Sequence, residues 1–461
     1  MHIRDFSGRN RALSRAALGI VLVLLALTLV RWGRSGQAAA TGPYPREVSR
    51  ITFAAAGDVI PHQAVVQSAN AHNLNQAANQ KNSPENSAPV AGNHGGWDAL
   101  FAAVSDVFLK ADIGFVNLET PVAPTHSLGT KAFQFDAPPI LLDSLKASGI
   151  KIVSFANNHV FDQGQGGFAE TIDHLREHDL MFVGAGQSAD IALKPVIIEK
   201  NGIKVGWLGM TRWLNGHHNP DKDDLPHVAF VPYTDAEGPG LSEAAVIDAI
   251  KAARSQCDLL LISIHWGIEY APAPQPRDVE FAHNMLEAGA NAVIGHHPHV
   301  LQPIETYLTQ DQRNTVIVYS LGNFLSNQSR TYVQGLMPDQ NGDPRDSLIV
   351  KFAVVKKDYG PAGIRVELAD MGILPVWTEN NHLQLKSGQV KGAMIAPILM
   401  DREIPRLQAR LDELGHLDQL TNEQKQEVVR VSGRLELLKH RREILLARTG
   451  DEYLVAPPKL P

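Results

Sequence analysis

Apolar runs recur along the chain, and most of them end in an acid, an amide or a histidine. Ile51-Thr-Phe-Ala-Ala-Ala-Gly-Asp58 ends in a carboxylate, and Ile113-Gly-Phe-Val-Asn-Leu-Glu119 presents Asn117 and Glu119 two apart. Ile150-Lys-Ile-Val-Ser-Phe-Ala156 runs into Asn157-Asn158-His159, with Asp162 three residues further on. The most apolar run, Asp258–Ile264, leads to His265-Trp-Gly with Glu269 just beyond. Val293-Ile-Gly-His-His-Pro-His-Val300 carries three histidines in four positions, and Thr315–Ser320 leads to Leu321-Gly-Asn323-Phe324. Each run reads as a buried strand with a polar tip. Helical spacing separates them at 97–110, 139–147, 167–178, 244–254 and 277–288, and Asn201-Gly202 marks a hairpin turn. Alternating strands and helices predict an α/β domain with a layered sheet, in which ligands gather at the strand ends.

Three stretches break this pattern. Arg4, Arg9, Arg11 and Arg15 precede an apolar run from Ala16 to Val30 that Arg31 and Arg34 close. This predicts an uncleaved single-pass signal-anchor over 1–34, followed by a Gly/Ala/Pro linker over 35–50, with the rest of the chain outside the cytoplasm. Residues 69–95 are rich in Asn, Gln, Ser and Ala without apolar periodicity, and read as a low-complexity loop inserted in a main domain of 51–378. After it, 379–461 forms a C-terminal extension, mainly helical. Within it Leu411, Leu414, Val431, Leu435 and Leu438 recur at helical spacing, with breaks near Gly415 and Gly433, and a face that packs on the main domain.

Composition narrows the chemistry. The 461 residues carry a formal charge of −7 without a basic stripe, which argues against nucleic acid as a partner. A single cysteine, Cys257, excludes a thiolate cage. Any metal must therefore be held by oxygen and imidazole. Asp58, Glu119, Asn158, His159, His265, His297 and His299 form such a set, suited to Mn, Fe or Zn. They are too many for one tetrahedral ion, but two ions about 3.5–4 Å apart would use them and activate water for attack on an electrophile. His297 and His299, two apart, face one side if the segment is extended. Asp162 is placed to hydrogen-bond His159 and fix its tautomer. Lys131, in a loop ending at Pro139, offers a substrate-facing cation.

The motifs Gly57-Asp58, Asn117-Leu-Glu119, Asn157-Asn-His159 with Asp162, His265-Trp-Gly with Glu269-Tyr270, Gly295-His-His-Pro-His-Val with Gln302 and Glu305, and Ser320-Leu-Gly-Asn-Phe324 together resemble the CapA family of capsule-synthesis proteins. The resemblance covers roughly residues 50 to 375. It implies a four-layer α/β sandwich of the calcineurin-like metallophosphoesterase type, with two divalent ions at its strand ends. Position by position it implies Asp58, Glu119, Asn158, His265, His297 and His299 as metal ligands, and His159, oriented by Asp162, as the general acid. Asn117, Glu269 and Asn323, with Lys131, are left as candidates to contact substrate. The superfamily pattern has a histidine two residues after the first aspartate, where this chain has Ile60, and Glu119 stands in place of the usual aspartate. The function implied is a metal-dependent hydrolase or transferase acting on poly-γ-glutamate or a related envelope polymer. A non-catalytic metal-binding subunit of a polymer synthase or exporter, and a periplasmic phosphodiesterase with another substrate, are the alternatives.

Overall fold

The computed structural model describes residues 44–81 and 94–459. The expected anchor, 1–34, and most of the expected linker lie outside them. Among the described residues, no helix is long and apolar enough to cross a membrane.

In chain order the strands are β1 (Arg46–Val59), β2 (Ile113–Leu118), β3 (Ile150–Ser154), β4 (Met181–Val183), β5 (Ala185–Gly186), β6 (Val196–Lys200), β7 (Ile203–Thr211) and β8 (His227–Val228). There follow β9 (Leu259–His265), β10 (Ala292–His296), β11 (Ile304–Leu308), β12 (Asn314–Val318), β13 (Asn323–Leu325), β14 (Asp346–Asp358), β15 (Ile364–Asn380) and β16 (Ile395–Leu399). One sheet runs in the order β16-β15-β14-β1-β2-β3-β4, with β13 also on β1, and the other in the order β11-β12-β10-β9-β7-β6. β1 through β4 are parallel, as are β7, β9, β10 and β12. Asn201 and Gly202, both at positive φ, make the tight turn between β6 and β7 that the Asn-Gly pair predicts. Asp358–Ile364 and the described residues before Glu47 form a small unit of their own, in which Arg46 bonds Asp358 at 3.2 Å. The cores and the site belong to the larger unit.

Three apolar cores set the layers. Phe53, Phe115, Trp207, Leu261, Ile294 and Val350 fill the space between the two sheets. Across it the Phe115 and Trp207 rings stack at 4.5 Å. The opposite face of the first sheet, through Ala54, Val116 and Val153, is covered by the helices Trp97–Phe101, Ile140–Ala147 and Gly164–Glu177. The opposite face of the second, through Leu260, Ile262 and Ile317, is covered by Glu243–Arg254 and Pro276–Glu287. Strands buried on both faces explain the near-continuous apolar runs.

Several boundaries differ from those the sequence suggests. β1 begins at Arg46, inside the stretch read as linker. Residues 63–81 form a helix, so the first part of the 69–95 stretch is not a loop; residues 82–93 lie outside the described residues. Its alanines and glutamines favour helix, while its lack of an apolar stripe hid it. The boundary at 379 falls inside β15, and β16, in the extension, pairs antiparallel with β15 as the edge of the larger sheet. The helix Met400–Gly415 does end at Gly415, but Gly433 lies inside the unbroken helix Asn422–Thr449, which a Thr421/Gln424 capping box starts. Leu407, Leu435, Leu438 and Leu445 enter the inter-sheet core beside Trp377, and each such leucine contributes about 1.5–3 kcal/mol.

Candidate metal centre

Two close approaches of backbone put the polar tips of the strands together. A Cβ on Gly57 would stand 1.8 Å from the Gly322 carbonyl oxygen, and one on Gly295 would stand 2.0 Å from that of Tyr319. Only glycine fits either position, so each motif reads Gly followed by a functional residue. Asp58 then sits level with Asn117 on β2 and Asn323 on β13, while His296 sits level with His265 on β9. The carboxylates come from one sheet and most of the imidazoles from the other.

Asp58, Asn117, Glu119, Asn158, His159, His265, His296, His297 and His299 are all buried. His296 Nδ1 donates to Asp58 Oδ1 at 3.1 Å, and His299 Nδ1 to Asp58 Oδ2 at 3.2 Å. Asn117 Nδ2 donates to Asp58 Oδ1 at 2.8 Å and to Glu119 Oε2 at 3.2 Å. Asn157 in turn bonds Asn117 Oδ1 at 3.2 Å and the Leu118 carbonyl at 2.8 Å. Asn117 therefore orients the carboxylates from beneath. His159 Nδ1 donates to Asp162 Oδ2 at 2.8 Å, the pairing that the three-residue spacing predicts, and the same oxygen accepts from Phe135 N at 2.7 Å. Its Nε2 is thereby left facing Glu119.

The other oxygen of Glu119 stands apart. Glu119 Oε1 is buried without a hydrogen-bond partner. Around it lie His265 Nε2 and His299 Nε2 at 3.8 Å and His159 Nε2 at 4.0 Å. These separations are too long for hydrogen bonds, and those of His265 and His299 suit atoms that share a cation. His265 Nε2 also lies 3.0 Å from Asn158 Oδ1 and 3.1 Å from His297 Nδ1, and one ring N–H cannot serve both. Two groups have donor atoms all within 4.8 Å of one another: Asp58 with Glu119 and His265, and Glu269 with His297 and His299. Buried imidazole and carboxylate with an orphaned oxygen fit divalent cations of the N/O-preferring kind.

Electrostatics agree with that use. Burial would raise the Asp58 carboxyl, but hydrogen bonds from His296 and His299 outweigh it and hold the group well below the usual carboxylate range. Glu119, with no such donors, is pushed well above its ordinary value by burial first and then by the charges of Asp58, Glu269 and Asp162. Burial, reinforced by neighbouring histidines, takes His265 well below its ordinary value and His297 down to about 3. Both imidazoles are therefore neutral, the state that ligates metal.

Some of the expected site residues sit differently in the fold. β10 ends at His296, and His297 and His299 follow at φ 97° and 59°, so they do not sit on an extended segment. Strained backbone of this kind persists where the surroundings over-determine it, commonly at functional sites. Exposed Glu269, read as a substrate contact, lies among the candidate ligands instead. Asn323 commits its amide nitrogen to Gln328 Oε1 and the Pro344 carbonyl at 2.9 and 3.0 Å, tying down the loop after β13, while its Oδ1 is buried without a hydrogen-bond partner. Lys131 is exposed on a separate cleft. His62, two residues past Ile60, has its Nδ1 3.2 Å from the Ile60 carbonyl, and the Phe135 ring packs on both its ring and that of His159. His296 is a site residue that the period-two argument passed over. Its strand-end position was the available signal.

Residues 52–328 match the family described as bacterial capsule synthesis protein PGA_cap. The chain is 32 % identical to the PGA biosynthesis protein CapA of Bacillus subtilis over 58 % of this chain and 63 % of that one. It is 28 % identical to the capsule biosynthesis protein CapA of Bacillus anthracis over 68 % of this chain and 69 % of that one. A probable polyglutamine synthesis accessory protein of Mycobacterium tuberculosis is 26 % identical over 49 % of this chain and 58 % of that one. The chain thus spans less than two thirds of the length of the B. subtilis and M. tuberculosis relatives.

Proposed function

The chain belongs to the bacterial capsule synthesis protein PGA_cap family, and from that premise we propose that it acts in the synthesis or release of poly-γ-glutamate or a related envelope polymer, through a hydrolase-type reaction at a centre for two divalent ions. The observation that carries the reading is the buried, unpartnered Glu119 Oε1 facing three imidazole nitrogens. On this reading the layers are those of a metallophosphoesterase-type sandwich. Asp58, Glu119 and His265 would hold one ion, and Glu269, His297 and His299 the other, with Asn158 beside His265. Bound there, Mn, Fe or Zn would supply Lewis acidity toward a carbonyl or phosphoryl oxygen and a nucleophile at neutral pH.

The chain's own residues supply the rest. Asp162 fixes His159 with Nδ1 protonated and Nε2 turned to the site, so Nε2 is the nitrogen that would take up a proton and pass it to the leaving group. Asn117 and Asn157 hold the carboxylates in register. His296 and His299 keep Asp58 ionised. We place the domain outside the cytoplasm, tethered through residues 1–34, with polymer synthase or export proteins of the membrane as its partners.

The test is to incubate metal-loaded full-length chain with poly-γ-glutamate and follow polymer length and new amino termini. Metal-dependent shortening or transfer that chelator abolishes, and that Glu119→Gln lacks, is the expected result. An unchanged polymer beside protein with two bound equivalents would contradict the enzymatic reading and leave a metal-binding subunit of a polymer complex.

A further inference from the structure

Beside the centre, but outside it, lies a cleft of about 580 Å³ between the start of the helix Gln63–Lys81, the loop 130–135, the segment 327–330 and the chain around Asn380–His382. Its lining holds Lys131, Arg330 and several amides, and not one Asp or Glu, in a chain whose formal charge is −7. Both cations are exposed, and no carboxylate among the described residues pairs with either side chain. An acidic protein that clears one cleft of acids and leaves two cations unpaired there has built a local field for anions.

Four further observations give the cleft a direction. Arg330 and His62 line the cleft together, and burial first, with the Arg330 charge among the smaller causes, holds His62 down at about 4. At the lip, Phe133 is 76 % exposed at φ 64°, a conformation that a bulky residue seldom adopts without cause. Phe135 forms the partition between cleft and centre, its ring 4.9 Å from His62 on one side and 4.4 Å from His159 on the other. The loop is also tied to the residue that orients His159, through Gln134 Nε2 to the Asp162 carbonyl at 2.7 Å and Phe135 N to Asp162 Oδ2 at 2.7 Å.

We propose that this cleft is a binding subsite for a carboxylate-bearing chain, in which Arg330 and Lys131 each receive a carboxylate, Phe133 lies against the intervening methylenes, and the bound chain passes over Phe135 toward His159. Arg330 carries most of the recognition, since its planar guanidinium takes a carboxylate in two parallel hydrogen bonds, while Lys131 adds a point charge. The identity of the anion rests on the polymer reading given above; the existence of the subsite rests on the cleft alone.

The test is calorimetric titration of the full-length chain with a γ-linked glutamate hexamer, with and without chelator, at physiological salt. Binding is expected in both conditions. Arg330→Ala should lower the affinity by about tenfold, Lys131→Ala by less, and Arg330→Lys should restore part of the loss. Both positions are exposed, so the variants fold. Absent binding, equal binding of the uncharged γ-linked isoglutamine hexamer, or binding unchanged in the Arg330→Ala/Lys131→Ala double variant would overturn the proposal. A polyphosphate of matched charge that competes as well as the hexamer would overturn its carboxylate class. Metal uptake, measured on the same samples, reports separately on the centre. The hexamer binding to metal-free protein would sustain the subsite even if the two-ion reading fell, and metal uptake without hexamer binding would remove only the subsite.

Discussion

Two clusters of buried charge in this molecule are built to opposite ends. Where the C-terminal helix meets the domain, fully buried Arg441 donates from Nη2 to Asp343 Oδ1 at 2.6 Å and to Asp346 Oδ2, and from Nη1 to the Asp339 carbonyl at 2.8 Å. Arg448 closes the set on Asp343 Oδ2 at 2.8 Å. At the strand ends, burial is as deep, yet Glu119 Oε1 and His296 Nε2 have no partner, and His265 Nε2 and His297 Nδ1 confront each other at 3.1 Å. The first cluster is complete within the chain and fastens an element. The second is incomplete within the chain and asks for a cation. Closure of the hydrogen bonding, more than burial or charge, separates a structural cluster from a ligand site.

The sharpest break in this comparison is Arg441→Met. It leaves Asp343 and Asp346 buried against an apolar side chain, and a loss of about 3–5 kcal/mol is expected in urea denaturation, with metal uptake per folded molecule unchanged. A loss below about 1 kcal/mol would remove the structural reading of that cluster. Glu119→Gln is the counterpart. Because the carboxyl is costly to ionise where it sits, the metal-free variant should be as stable as the parent or more so, while at least one of the two ions is lost.

How far the sequence discloses each cluster follows the same division. Asp58, Glu119, Asn158, His159 and His265 are legible because each ends an apolar run, and strand ends converge. Glu269 is legible as a site residue but not as a candidate ligand, since it lies past a strand in a loop whose return to His297 depends on tertiary packing. His297 and His299 are found for a partly mistaken reason, an extended spacing that positive φ at both replaces. The Arg441 cluster is hidden altogether, because an arginine on an amphipathic helix reads as a solvent-facing residue until its partners 95 and 98 positions away are in place. Strand β16 is hidden likewise, since an edge strand draws its identity from its neighbour, β15.

Smaller effects refine the comparison. Asp162→Ala removes the acceptor that orients His159 but no candidate ligand, so metal content should hold while turnover of the polymer falls about ten- to a hundredfold. A fall in metal content instead would place His159 among the ligands. Acid should act on the centre through His297. Its folded value, about 3, lies below that of the unfolded chain, about 6.5. As pH falls from about 6.5 toward 3, the unfolded chain binds a proton that the folded one refuses, and stability drops. Relative to His297→Gln, the metal-free parent should therefore lose stability with acidification, by up to about 1.4 kcal/mol per pH unit, as thermal unfolding at pH 7 and pH 5 can measure. A constant difference between the two would mean that His297 is not held neutral.

The central claim is that the strand-end cluster is completed by cations, and elemental analysis of the folded full-length chain beside Glu119→Gln tests it most directly. The account predicts about two equivalents of Mn, Fe or Zn per chain, and a variant of undiminished stability that retains at most one. A folded parent that takes up no metal even after reconstitution, or a Glu119→Gln variant that keeps both equivalents, would contradict it.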